Sequence, residues 1–191
     1  MAAIYSTAAK EGVDVNSVFI LDTSTPEYPR PPFNPGELAW GTDGSEWVYC
    51  TASITIGAGQ VVVISAVPGS YSAALIGGAT IAAASAPVGQ IVGVVGGSQG
   101  SMVVPAPSGT QQGCYFWVQR AGNIPNVKTA ASTTKNAQLY SSATVAGQVS
   151  STAGGAATTY QINGLVISQA TGSTAGPNTA VANYPVVGAS A

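Results

Sequence analysis

From Trp47 to Ala191 the chain carries no aspartate, no glutamate and no histidine. All seven acids, Glu11, Asp14, Asp22, Glu27, Glu37, Asp43 and Glu46, lie before that point. Beyond it the charged side chains are Arg120, Lys128 and Lys135. General acid–base catalysis needs a group that titrates near neutral pH, usually His or a carboxylate. Most of this chain has neither, so the charge map predicts a protein that is not an enzyme, with no catalytic residues and no cofactor. The first 46 residues, with Lys10 and Arg30, hold a net −5, the remainder holds +3, and the total is −2. That balance provides no basic field for nucleic acid. Charged residues are 6% of the chain, against about 25% in ordinary soluble domains, which keep a charged surface to stay dispersed. A Ser/Thr/Gly/Ala surface suits a structural protein packed against neighbours. The plainer alternative is a secreted or low-charge globular domain.

From Gly44 onward the pattern is short β-type runs between turn residues. Glu46–Ile56 is rich in Trp, Val, Tyr, Thr and Ile, as strands prefer. Gly57-Ala58-Gly59 interrupts it and Gln60–Val67 follows as a near-continuous Val/Ile run, which predicts a hairpin with a three-residue turn. Tyr71–Ile76 and Thr80–Ala84 are weaker, and their alanines also suit a short helix. Ile91–Val95, Ser101–Val104, Cys114–Arg120, Gln138–Ser141, Gly147–Ser150 and Tyr160–Gln169 complete the set, with Tyr184–Val187 as a last edge strand. Turn signals roughly every 8–12 residues predict an all-β fold, an antiparallel barrel or sandwich. Gly-Gln pairs precede three of these runs, at Gly59-Gln60, Gly89-Gln90 and Gly147-Gln148, with the glycine placed to take the turn. Strand alternation puts Cys50 with Val48 and Ala52, and Cys114 with Phe116 and Val118, so both thiols are expected to be buried and reduced. Without a Cys-x-x-Cys or Cys/His cluster, no zinc site is expected.

The beginning of the chain reads differently. Pro26, Pro29, Pro31, Pro32 and Pro35 fall within ten residues, so Thr25–Gly36 should run as an extended, polyproline-like strap. Residues 1–43 are accordingly expected to form an extended N-terminal arm, and 44–191 a single β-rich domain with an irregular C-terminal tail. Within the strap, Tyr28, Arg30 and Phe33 are the candidate partner-binding residues, because aromatics and Arg dominate contact energies. The alternative is a stiff connector lying on its own domain. Ser17–Leu21 suits a short strand, and Ala2–Lys10 one or two helical turns. MAAIYSTAAKEG has neither the basic nor the apolar region of a signal peptide. The most apolar stretch, Ala73 to Val95, is broken by Gly77, Gly78, Ser85, Pro87 and Gly89, so no transmembrane helix and no membrane partner are expected.

Three chemical-looking motifs fail on their partners. Gly96-Gly97-Ser98-Gln99-Gly100 fits a nucleophile elbow, which needs a His and an acid after the serine, and neither follows here. Ser132-Thr133-Thr134-Lys135 fits the serine acyl-enzyme pattern but lacks its companion elements. Gly93–Gly100 lacks the Gly-Lys-Ser/Thr that ends a phosphate loop.

Gln112-Gly113-Cys114-Tyr115-Phe116-Trp117-Val118-Gln119-Arg120-Ala121-Gly122 resembles a Gly-x-Tyr-x-Trp-Val-Gln-x-x-Gly strand of small head proteins of tailed bacteriophages. Leu139-Tyr140-Ser141-Ser142-Ala143-Thr144-Val145-Ala146-Gly147-Gln148 resembles the segment that follows it there, and Gly164-Leu165-Val166-Ile167 the closing strand. Gly41-Thr42-Asp43-Gly44, Trp47-Val48-Tyr49 and Ala58-Gly59-Gln60-Val61-Val62 also fit, so the resemblance covers roughly residues 40–168. It implies a capsid decoration, or cement, protein that binds the major capsid protein lattice. It also implies a homotrimer on the virion's capsid exterior, made in the host bacterial cytoplasm. A tail-fibre or spike module binding a host receptor or glycan is the runner-up, followed by a surface-layer or adhesin domain.

Overall fold

The computed structural model describes residues 4–6, 13–22, 24, 30–52, 54–67, 70–77, 88–96, 103–106, 111–154 and 159–190. Among these there is no helix. The strands in chain order are β1 (Ile4–Ser6), β2 (Phe19–Asp22), β3 (Leu38–Gly41), β4 (Glu46–Ala52), β5 (Ile56–Gly57), β6 (Val61–Val67) and β7 (Ser70–Leu75). They continue with β8 (Ile91–Val95), β9 (Val103–Val104), β10 (Gln111–Thr129), β11 (Leu139–Ser141), β12 (Val149–Ser150), β13 (Tyr160–Ile167) and β14 (Gly176–Ser190). The fold is all-β and mostly antiparallel. Nine strands close into a ring, in the order β4-β7-β6-β8-β14-β13-β11-β12-β10.

β10 is what subdivides this ring. Its first half pairs with β4, its middle (Val118 and Gln119) with β8, and its second half with β14. Two hydrogen-bonded circuits therefore share one 19-residue strand. Each has its own apolar filling. β4, β6 and the first half of β10 contribute Val48, Cys50, Val62, Ile64, Phe116 and Val118 to the first core. The second core takes Val61, Val63, Val92, Val94, Ile124, Leu139, Ile162 and Ile167. β6 sends alternate side chains into different cores, and β8 does the same, with Val92 and Val94 on one side and Ile91 and Val95 on the other. A strand buried on both faces has no solvent side to make polar, so its sequence becomes a continuous apolar run. Val61–Ile64 and Ile91–Val95 read that way for this reason.

A third cluster lies on the other face of β4 and β10. Trp47, Tyr49 and Trp117 are covered there by Val13, Val15 and Ala39, with Phe33 and Tyr115 at the edge. The described parts of residues 1–43 are thus docked onto the β domain: β2 pairs with β10, β3 with β4 and β1 with β3.

Several local expectations are corrected. Ile4–Ser6, expected within helical turns, is strand β1, because β3 offers it an unpaired edge, whereas so short a helix is marginal by itself. The hairpin across Gly57–Gly59 does not form: β6 pairs with β7 and β8, and β5 turns away to pair with β9. Of the two weaker runs, Tyr71–Ile76 is strand as far as Leu75, within β7, and its helical alternative falls away. Thr80–Ala84 lies outside the described residues. Cys114–Arg120 is part of the first half of β10, which runs on through Gly122 and, at a bulge, Pro125. In place of an irregular tail with an edge strand, residues 176–190 form β14, an interior strand with β13, β10 and β8 as neighbours. The three Gly-Gln glycines, Gly59, Gly89 and Gly147, all have positive φ and each introduces a strand. Cys50 and Cys114 are buried free thiols on one face of adjacent strands. Burial pushes both thiols up, away from the reactive thiolate.

The crossing of β8 over β10 depends on Gly93, where a Cβ would run into Val118 Cγ1 and the carbonyl oxygen of Gln119. Gly93→Ala should cost about 1–3 kcal/mol of unfolding free energy in chemical denaturation. Gly172→Ala, at a glycine with open space around it, should be near neutral. Equal effects would show that the crossing is not tightly packed.

Candidate partner-binding surface

Glu46 opens β4 and is 6% exposed, yet it carries a carboxylate. Its neighbours explain how that is tolerated. Trp40, its register partner on β3, donates its indole N–H to Glu46 Oε2 at 3.2 Å. The Tyr184 hydroxyl donates to the same oxygen at 2.8 Å. Arg120 Nη1 lies 3.9 Å from Oε1, and its guanidinium sits 5.5 Å from the centre of the Tyr184 ring. At 3.9 Å the ion pair is too long for a good hydrogen bond. The two aromatic donors therefore hold the carboxylate, and Arg120 supplies charge compensation.

Two bulges deliver these groups. β10 gains one residue against β4 between Gln119 and Ala121, and Arg120 is that extra residue. The Gln119 side chain fixes the bulge by donating to the carbonyls of Ala121 and Asn123, both at 3.0 Å. In β14, Asn183-Tyr184-Pro185 bulges out opposite Gly164 of β13. Tyr184 adopts φ 47° there, a conformation that costs a non-glycine residue energy and recurs at functional positions. Gly164 must be glycine, with φ 83° and the Asn183 carbonyl 2.6 Å from where its Cβ would stand. Bulges commonly re-aim side chains in this way.

The result is two aromatic rings tied down at their polar edges and still partly exposed: Trp40 is 41% exposed and Tyr184 49%. Beside them the outer face of β10, β14 and β13 presents Asn123, Val181 and Val166 in one cross-strand row, and both valines are exposed. Tethered aromatics lose little freedom on binding, and Trp, Tyr and Arg are the residues that dominate binding energy at interfaces. The chemistry available here is contact chemistry.

The residues singled out from the strap lie elsewhere. Tyr28 is outside the described residues. Arg30 is exposed. Phe33 is half-buried, packed edge-on against Tyr49 and Trp117 with ring centres 5.4 and 5.0 Å away, so it anchors the strap to its own domain. Of the chemical-looking motifs, Ser132 sits on a turn with positive φ and is exposed, and residues 97–100 lie outside the described set. The chain matches no protein-family model and no curated protein at a significant level.

The hydrogen bond to Glu46 comes first, and its negative charge second, in pushing the Tyr184 phenol above its ordinary value. A raised folded-state value favours the neutral phenol. Its contribution to stability is intact below about pH 10 and is lost as pH rises through the raised value. Glu46→Gln should bring the Tyr184 titration, followed by NMR, back toward the ordinary range. Tyr49, raised chiefly by burial, should not move. An unchanged Tyr184 would contradict the contact.

Proposed function

We propose that the protein is a virion structural protein that decorates a bacteriophage capsid and cements it by binding the lattice of the major capsid protein. On this reading it acts as a homotrimer on the capsid exterior and performs no catalysis. The observation that carries the proposal is the Trp40–Tyr184 pair, clamped to a buried carboxylate at the rim of a sheet face whose row of Asn123, Val181 and Val166 is uncharged. Charge depletion with aromatic and Arg anchors is the composition of interface cores. Repetition over a lattice turns modest single contacts into avidity. A protein that binds only the assembled shell stabilises it by mass action.

The resemblance over residues 40–168 adds support, because its motif residues do architectural work. Trp117 fills the third cluster, Gln119 fixes the Arg120 bulge, and the Ser142 hydroxyl accepts the Val145 backbone N–H at 3.2 Å. The alternative, a tail-fibre or spike module binding a host receptor or glycan, draws on the same two exposed aromatic rings.

Purified protein should bind shells stripped of it with saturation at a fixed multiple of the lattice. Trp40→Ala and Tyr184→Ala should each weaken binding by about 1–3 kcal/mol, measured by co-sedimentation with circular dichroism confirming the fold. Undiminished binding by the double variant would remove this face from the interface. Binding to host-cell glycans without binding to shells would favour the spike reading.

A further inference from the structure

A second site lies apart from the aromatic face. A groove of about 370 Å³ opens where the turn before β6 meets the second half of β10 and the start of β14. Ala58, Gly59 and Pro177 line it together with Asn126, Lys128 and Gln148. Gly59 is held to β10, because the Lys128 backbone N–H donates to its carbonyl at 2.8 Å. β10 bulges between Ile124 and Val127 at this point.

The three polar side chains have something in common. Gln60, Gln119, Gln138 and Asn178 all spend their amides on internal hydrogen bonds. Asn126 and Gln148 make no side-chain hydrogen bond to another described residue, and Lys128 has no ion pair among the described residues. No acid exists from residue 47 onward to supply one, and Arg120 already faces Glu46. One ammonium and two carboxamides, none with a side-chain partner among the described residues, thus line one concavity together with Ala58 and Pro177, the usual plan of a ligand site.

We propose that this groove binds a carboxylate carried by an extended acidic segment of a partner polypeptide. A carboxylate offers acceptor positions for all three donors, and its bond to Lys128 is of the strong, charge-assisted kind. Ala58 and Pro177 fit the aliphatic stem of a Glu side chain. A single cation is too little for a nucleic-acid backbone, which is held by many basic groups. The inference does not depend on shell binding and stands or falls separately from it.

The test is an NMR titration of isotope-labelled full-length protein with acetyl-Gly-Glu-Gly-amide. Saturable shifts are expected at the Lys128 amide and the side-chain amides of Asn126 and Gln148. The Gln version of the peptide, inorganic phosphate and acetate should each bind at least about tenfold more weakly. Lys128→Gln should weaken the Glu peptide by a similar factor, and Lys128→Arg should retain it. Absent shifts, or shifts indifferent to Lys128→Gln, would overturn the site. Equal binding of the Gln peptide or phosphate would overturn the carboxylate, and equal binding of acetate would overturn the polypeptide.

Discussion

β6 and β8 form an inner wall that is apolar on both faces, and the rest of the structure is arranged around it. Because Val62 and Ile64 face one core while Val61 and Val63 face the other, neither core can be filled without the other. Burying each such side chain contributes roughly 1.5–3 kcal/mol, so the wall couples the two circuits energetically as well as geometrically. β10 completes the coupling by running along both, and its close crossing with β8 leaves room only for glycine at position 93. This is how a chain with so few charges reaches a single arrangement: register is specified by two-sided burial and not by ion pairs.

The same constraint shapes the surface. With most Val and Ile committed to the interior, the outer strands present mainly Ser, Thr, Asn, Gly and Ala, with a few exceptions such as Val166 and Val181. The bulges add others. At Arg120 and Tyr184 the ladder is interrupted so that side chains from β10 and β14 converge on one carboxylate at the start of β4. Glu46, the last acid in the sequence, serves as a fixed acceptor that sets the angle of two aromatic rings.

The fold class was legible because β-branched runs and turn residues act locally, and the two-faced wall left its mark in Val61–Ile64 and Ile91–Val95. Pairing was less legible. Gly57-Ala58-Gly59 has the local chemistry of a hairpin turn, but β6 is claimed by β7 and β8 through packing that no short window contains. β10 outruns its local signal because Gly122 and Pro125 look like strand ends but sit within it, Pro125 at a bulge, and β14 starts at Gly176, well before the Tyr184–Val187 run, with Pro185 at a bulge. The candidate face was hidden for a related reason. Trp40, Glu46, Arg120 and Tyr184 come from four separate strands, and only the Asn183-Tyr184-Pro185 run inside a β segment hints at a bulge. Phe33 has the composition of a partner anchor, but Tyr49 and Trp117 provide it with an internal partner.

The central proposal, a shell-binding protein with an aromatic docking face, is tested most directly by a density map of the virion that the proposal requires. The account predicts repeated density for this fold at equivalent lattice positions on the outside of the head, grouped in threes, with Trp40 and Tyr184 turned toward the capsid protein. A head without that density, or copies confined to the tail, would contradict it.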